Sequence, residues 1–138
     1  MRLRPSFPLW SLDERGILNP HPMLLQIEEK RIDPDITVVE LAGKFALGRE
    51  SQRIETIVDE LLKSGRVRVV LDMTGVDYID SAGVGLVTLS AGRIKEAGGK
   101  LVVVAPEGGR VLTLLKMTQV NMIVTVSATV ADAVQALG

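Results

Sequence analysis

The chain has 138 residues, of which 46% are hydrophobic and 24% charged, so we expect one globular domain with a single hydrophobic core and not a two-domain enzyme. It contains no cysteine, which excludes a disulfide framework, a cysteine zinc site, an iron–sulfur cluster and a thiol nucleophile, and favours a cytoplasmic protein. Its net charge of −1 and its 3% aromatic residues supply neither the basic surface nor the stacking platforms that nucleic-acid binding needs, so no nucleic-acid partner is expected.

The first 22 residues carry four of the six prolines. Proline at this density disfavours both helices and ladder pairing, so we interpret residues 1–22 as a Pro-rich tail and residues 23–138 as the domain. The tail is either a disordered extension or a segment in which Phe7, Leu9 and Trp10 dock on the domain or on a partner. No stretch of the chain is long and apolar enough to span a membrane, and the N-terminus lacks the apolar region of a signal peptide.

The first half of the domain begins with two strands and a helix. Residues 24–28 and 36–42 are strand-like runs separated by a turn at Pro34, which predicts an opening hairpin. Residues 50–63 then carry an apolar stripe at helical spacing, with Gly65 as the stop, which predicts a helix.

The second half alternates strands and helices. The predicted elements are a strand at 67–73, a loop at 75–81, a helix at 82–97, a strand at 101–105, a helix at 109–117, a strand at 122–126 and a final helix after Thr129. Thr129 and Asp132 have the spacing of a capping box, which supports the final helix. The order β-β-α-β-α-β-α-β-α predicts an α/β domain with a mixed, mostly parallel sheet and packed helices.

Functional loops in such domains collect where strands end and helices begin, so the loop after the 67–73 strand is the first candidate. There Asp72, Asp77 and Asp80 precede Ser81, which opens a helix. A phosphate on Ser81 would lie beside unpaired backbone N–H groups and the positive end of the helix dipole, which makes this serine a good phosphoacceptor. The alternative is that a residue here only caps the helix.

Gly83 and Gly85 follow Ser81 in the first turns of the predicted helix. Two glycines weaken a helix by about 1 kcal/mol each relative to alanine, and their missing side chains would let another protein approach the backbone. The alternative is that these glycines serve packing between the helix and the sheet.

The stretch Asp80-Ser81-Ala82-Gly83-Val84-Gly85, preceded by Val76-Asp77-Tyr78-Ile79, resembles the signature of STAS-domain anti-sigma factor antagonists. Further matches lie at residues 41–43, 97–101 and 115–118. The resemblance covers about residues 24–138 and implies a single STAS domain.

The resemblance also implies a mechanism. In this family an anti-sigma factor that is itself a serine kinase phosphorylates the serine after the aspartate, here Ser81, and a PP2C-type phosphatase reverses the step. The unphosphorylated antagonist captures the anti-sigma factor and frees the sigma factor. Such a protein is a substrate and a binding surface, not an enzyme, and needs no cofactor or metal. A phosphate would add roughly −1.5 to −2 charges beside Asp77 and Asp80 and repel the partner.

The partner surface that the resemblance implies surrounds Ser81. Its expected contacts are Asp77, Asp80, Ala82, Gly83, Val84, Gly85, Lys44, Ala46 and Arg49. Many family members have Asp or Thr where this chain has Ala46, so either the phosphorylation efficiency or the partner differs here. We expect Tyr78 and Ile79 to pack inside the domain and Asp72 to anchor the loop.

Three rival functions start from the same loop. A dinucleotide site is disfavoured because Thr88 replaces the third glycine of the fingerprint. A hydrolase with Ser81 as nucleophile lacks a base, since the only histidine, His21, lies between two prolines of the tail. A STAS scaffold, or a subunit of a signalling or transport complex that is never phosphorylated, remains open, as does the oligomeric state.

Overall fold

A computed structural model describes residues 10–12, 18–20, 25–32, 35–46 and 49–138, the first two of these ranges and residues 49–50 for their backbone alone. The strands are β1 (Trp10–Leu12), β2 (Leu18–Pro20), β3 (Gln26–Ile32), β4 (Ile36–Phe45), β5 (Arg68–Ile79), β6 (Lys100–Val104) and β7 (Thr125–Ser127). The helices are α1 (Arg49–Lys63), α2 (Ser81–Glu96), α3 (Arg110–Met117) and α4 (Val130–Ala136), with a 3₁₀ helix at Val120–Met122.

Strands β3 to β7 form one five-stranded sheet in the order β3-β4-β5-β6-β7. The β3–β4 pair is antiparallel and the other three pairs are parallel. The predicted mixed, mostly parallel α/β fold is therefore confirmed. Helices α1, α2 and α3 contribute to the larger apolar cluster on one face of the sheet, and α4 packs through Ala133 on the other face. Among the described residues, no helix is long and apolar enough to cross a membrane.

The helix boundaries follow local signals that the sequence carries. Helix α1 ends at Lys63, and Gly65 follows with a φ of 73°, the left-handed conformation that glycine adopts easily. At the start of α4, the Thr129 side chain accepts a 3.1 Å hydrogen bond from the Asp132 N–H, as the capping pattern predicts.

The predicted loop at 75–81 is wrong, because β5 continues to Ile79 beside β4. Strand β5 contains two β-bulges, each with one residue more than the paired segment of β4. The first lies between Asp72 and Gly75, and the second lies between Val76 and Tyr78. Each such bulge turns the following side chains to the other face. Buried side chains therefore recur at every third position, at Met73, Val76 and Ile79, and the alternation typical of a strand is lost.

Two contacts fix the first bulge. Asp72 accepts hydrogen bonds from the N–H of Thr74 at 3.0 Å and from its hydroxyl at 2.6 Å, so it anchors this part of the strand as expected of it. Gly75 lies so close to β4 that an added Cβ would be 2.9 Å from the Cβ of Ala42. Only glycine permits this approach of the two strands.

The predicted strand at 122–126 is also displaced. Gln119 adopts a left-handed conformation with a φ of 62°, and the 3₁₀ helix that follows buries Val120. Met122 and Ile123 belong to this turn and are 80% and 71% exposed, and strand β7 begins only at Thr125. The first two residues of the predicted strand are therefore exposed surface residues, and only its end belongs to β7.

The tail contains a short ladder that its prolines were expected to exclude. Strands β1 and β2 are antiparallel, with Trp10 opposite Pro20, and they pair with no other described strand. In a two-stranded sheet both strands are edges, where a proline without an N–H is tolerated. Phe7 and Leu9 lie outside the described residues, so the status of the rest of the tail stays a prediction.

Candidate functional site

A single residue, Asp80, connects β5 to α2 at the carboxyl end of the sheet. Its backbone is extended, and its N–H donates a 3.3 Å hydrogen bond to the carbonyl of Phe45 at the end of β4. Its side-chain Oδ1 accepts a 2.9 Å hydrogen bond from the N–H of Gly83, and its carbonyl accepts one of 3.0 Å from Val84. Asp80 is therefore the N-cap of α2 and holds the helix to two strands at once.

Ser81 is the first residue of α2, and its side chain is exposed. No hydrogen bond to another described residue holds its hydroxyl. Asp80 satisfies the N–H groups of Gly83 and Val84, whereas those of Ser81 and Ala82 have no acceptor within the helix. The hydroxyl therefore projects from the positive end of a 16-residue helix and is open to a second protein.

The two glycines of the first turns have different roles. A Cβ on Gly83 would lie 2.6 Å from the Phe45 carbonyl oxygen and 2.9 Å from Ile79 Cγ1, so Gly83 lets α2 pack on the ends of β4 and β5. A Cβ on Gly85 would meet nothing within 4 Å, and Gly85 is exposed. The packing alternative is correct for Gly83, while Gly85 leaves the helix surface open beside Ser81.

Burial divides the expected partner contacts. Val84 is 6% exposed and Gly83 is buried, so neither offers surface to a partner, because the first turn of α2 points these residues at the core. Asp80 is half-buried. The exposed members are Lys44, Asp77, Ala82 and Gly85.

The prediction that Tyr78 packs inside the domain is wrong. Tyr78 is 39% exposed, because the second bulge turns Asp77 and Tyr78 outward, whereas Ile79 is buried as expected. The ammonium group of Lys44 lies 5.4 Å from the centre of the Tyr78 ring, a cation–π distance, and the two residues are paired in register across β4 and β5. An aromatic ring and a positive charge thus join the surface near Ser81.

Ala46 and Arg49 lie on the chain between β4 and α1. Ala46 is half-buried directly after β4, and its methyl group offers no hydrogen bond. Arg49 begins α1, and its side chain is outside what the structure describes. The part of the chain that the structure describes holds no group of three or more potential metal ligands, and its acidic residues near Ser81 do not form one.

Comparison with known proteins identifies the relatives of this chain. The STAS domain family profile matches residues 28–133. The chain matches none of the curated proteins. A solved anti-sigma factor antagonist from Mycobacterium paratuberculosis shares 17% identity at a TM-score of 0.72, covering 85% of this chain and 97% of that one.

Two further solved structures have the same architecture. A Thermotoga maritima protein assigned as an anti-sigma factor antagonist is 26% identical at a TM-score of 0.68, covering 80% of this chain and 93% of that one. The phosphorylated form of the Bacillus cell fate determinant SpoIIAA is 14% identical at a TM-score of 0.64, covering 82% of this chain and all of that one. The described residues between 25 and 138 thus have the fold of these antagonists.

Proposed function

This chain belongs to the STAS domain family, and we propose that it is an anti-sigma factor antagonist whose binding to an anti-sigma factor kinase is switched by phosphorylation of Ser81. In this proposal the kinase adds the phosphate, a PP2C-type phosphatase removes it, and the chain itself catalyses nothing. Only the unphosphorylated form binds the anti-sigma factor.

The observation that carries the proposal is the state of the Ser81 hydroxyl. It is exposed, it is bonded to no described residue, and it stands at the first position of α2 directly after the cap residue Asp80. A kinase needs a hydroxyl that it can reach without unfolding its substrate. The neighbouring residues Ala82 and Gly85 are small and exposed, so they leave room for the kinase to approach.

The fold can hold a phosphate at this position. The unpaired N–H groups of Ser81 and Ala82 and the helix dipole favour a negative charge at the start of α2. The exposed carboxylate of Asp77 and the capping carboxylate of Asp80 are already there, so a phosphate would concentrate negative charge on one small area. A partner surface that fits a neutral hydroxyl would meet both added volume and repulsion, and binding would be lost without a change of fold.

The partner surface that we propose consists of exposed residues at the carboxyl ends of β4 and β5 and the start of α2. Its members are Lys44, Asp77, Tyr78, Ser81, Ala82 and Gly85. It is small and mixed in charge, with one aromatic ring held beside a lysine. Arg49 remains a candidate contact from the start of α1.

The test is phosphorylation of the purified full chain. The protein is incubated with ATP and with each candidate anti-sigma factor kinase from the same genome, and phosphosites are mapped by mass spectrometry. We expect one phosphate on Ser81, absent in Ser81→Ala. The matched control is Ser64→Ala, which removes an exposed hydroxyl that donates to the Glu60 carbonyl at 3.0 Å, and it should be phosphorylated as the wild type is. No phosphate on Ser81 with any of these kinases would overturn the switch.

One observation favours a second candidate function, a STAS scaffold or subunit that is never phosphorylated. Ala46 replaces the Asp or Thr that many antagonists have after β4, so this chain lacks a hydrogen-bonding side chain there. A scaffold would bind its partner through the same surface, and its affinity would not respond to charge at Ser81. Equal binding of Ser81→Ala and Ser81→Asp would support this second function.

A further inference from the structure

The two edges of the five-stranded sheet differ in their charge. The β3 edge carries four successive charged residues, Glu28 to Arg31, and Lys30 forms a 2.8 Å ion pair with Glu40 on β4. Charges on an edge strand discourage pairing with another chain. The opposite edge, β7, carries no charge. Nothing of this kind therefore protects β7 from pairing.

The backbone of β7 has hydrogen-bonding groups on its open side. Among the described strands, β7 pairs only with β6. The Ser127 carbonyl accepts a 2.9 Å hydrogen bond from the N–H of Ala105, so Ser127 faces the side of β6. Successive residues of a strand face opposite neighbours, so the N–H and C=O of Val126 point away from β6. A second strand could pair with them.

Apolar side chains surround this edge. Met117, Met122 and Ile123 are 74%, 80% and 71% exposed, and they are the three most exposed large hydrophobic residues of the described chain. They lie within seven residues, between the end of α3 and the start of β7. Exposed apolar side chains grouped in this way are typical of a protein interface.

Charge decides which partner fits. Residues 117–131 contain no charged residue, in a chain where 24% of residues are charged. In a contact with twofold symmetry, residues close to the axis meet their own copies, so a charge there meets the same charge. A surface without charge avoids this repulsion and suits a second copy of the same chain. Lys95 and Lys100 line a cleft with Ile123, and Lys116 and Glu107 line one with Val126, so these charged residues would form the rim of the patch.

We propose that the β7 edge is a homodimer interface, in which β7 pairs antiparallel with β7 of a second copy around a twofold axis at Val126. Two Val126 residues opposite one another would exchange both N–H···O bonds, and the two sheets would join into one of ten strands. Met117, Met122 and Ile123 would be covered by the second copy.

This interface is independent of the partner switch. Ser81 follows the carboxyl end of β5, whereas Ile123 precedes the amino end of β7, and the two strands run parallel through β6. The two sites therefore lie at opposite ends of the sheet. A dimer would present two Ser81 sites, and failure of one proposal leaves the other untouched.

The test is sedimentation velocity of the full chain from about 1 µM to 1 mM, the range in which a modest interface associates. We expect the mass to rise with concentration toward twice the monomer mass of 14.9 kDa. Ile123→Glu and Met122→Glu should each weaken association by about tenfold or more, because each would place a charge without a partner inside an apolar contact. Thermal melting of both variants, whose altered positions are exposed, verifies that they fold.

The matched control is Leu89→Glu, the same change in charge at a 54% exposed position on α2, which should leave association unchanged. Ser81→Asp should also dimerise as the wild type does. A protein that stays monomeric at every concentration would overturn the proposal, whether or not it binds an acidic partner through the rim lysines instead. Loss of association in Leu89→Glu equal to that in Ile123→Glu would overturn it as well.

Discussion

The N–H of Gly83 donates a 2.9 Å hydrogen bond to Oδ1 of Asp80, and this bond spans Ser81. The bond closes a turn over Ser81 and Ala82, and the residues at both ends of this turn, Asp80 and Gly83, are fixed to the sheet. The N–H of Asp80 donates a hydrogen bond to the Phe45 carbonyl at the end of β4. Gly83 packs closely against the same carbonyl, which is possible because it has no side chain. The exposed serine thus stands on a rigid support.

Asp80→Ala removes the cap acceptor and should lower the free energy of unfolding by about 1 kcal/mol, the usual contribution of an N-cap side chain. Asp80→Asn is the matched control, since its amide oxygen can accept the same hydrogen bond, and it should lose much less. Urea denaturation followed by circular dichroism measures both. An Asp80→Ala protein as stable as the wild type would contradict the role of this cap.

Gly83→Ala and Gly85→Ala make the same change two positions apart in one helix and should have opposite effects. At Gly83 the new methyl group meets the backbone carbonyl of Phe45, so we expect a loss of roughly 1–3 kcal/mol in the free energy of unfolding. At Gly85 it meets nothing, so higher helix propensity should add about 0.5–1 kcal/mol. Denaturation curves that shift the same way for both variants would contradict the packing of α2.

Deletion of residues 1–22 should leave the domain folded, with little change in its thermal midpoint. The reason is that β1 and β2 pair with each other and with no other described strand, so the five-stranded sheet loses no ladder. Differential scanning calorimetry of the full and shortened chains gives the comparison. A large drop in the midpoint would show instead that residues such as Phe7 and Leu9 pack on the domain.

The sequence predicts the parts of this fold that follow a regular period or a local cap. Helix α1 and the cap at Thr129 follow from the spacing of a few residues, and so does the position of Ser81 at the start of a helix. The extension of β5 to Ile79 does not, because two bulges replace the alternation of a strand with buried residues at every third position. Pairing with β4, a contact distant in sequence, decides that segment.

The same limit applies to the candidate site. The sequence does not distinguish a glycine that leaves room for a partner from one that lets the helix pack on its own sheet. Gly83 differs from Gly85 only in the structure, where a Cβ on Gly83 would lie 2.6 Å from the Phe45 carbonyl oxygen. The sequence predicts a packed Tyr78, whereas the second bulge turns it outward beside Lys44. Gly75 is the one sequence signal for the first bulge, since a glycine within a strand pattern often marks a bulge.

We propose that negative charge at Ser81 controls partner binding, and the affinity of the anti-sigma factor kinase for two variants measures this most directly. Isothermal titration calorimetry should show Ser81→Ala binding about as tightly as the unphosphorylated wild type and Ser81→Asp binding about a hundredfold more weakly, because a charge would be desolvated against a surface that fits a neutral hydroxyl. Both variants change an exposed residue that no described residue bonds, so both should fold. Equal affinity of Ser81→Ala and Ser81→Asp for the kinase would contradict the switch.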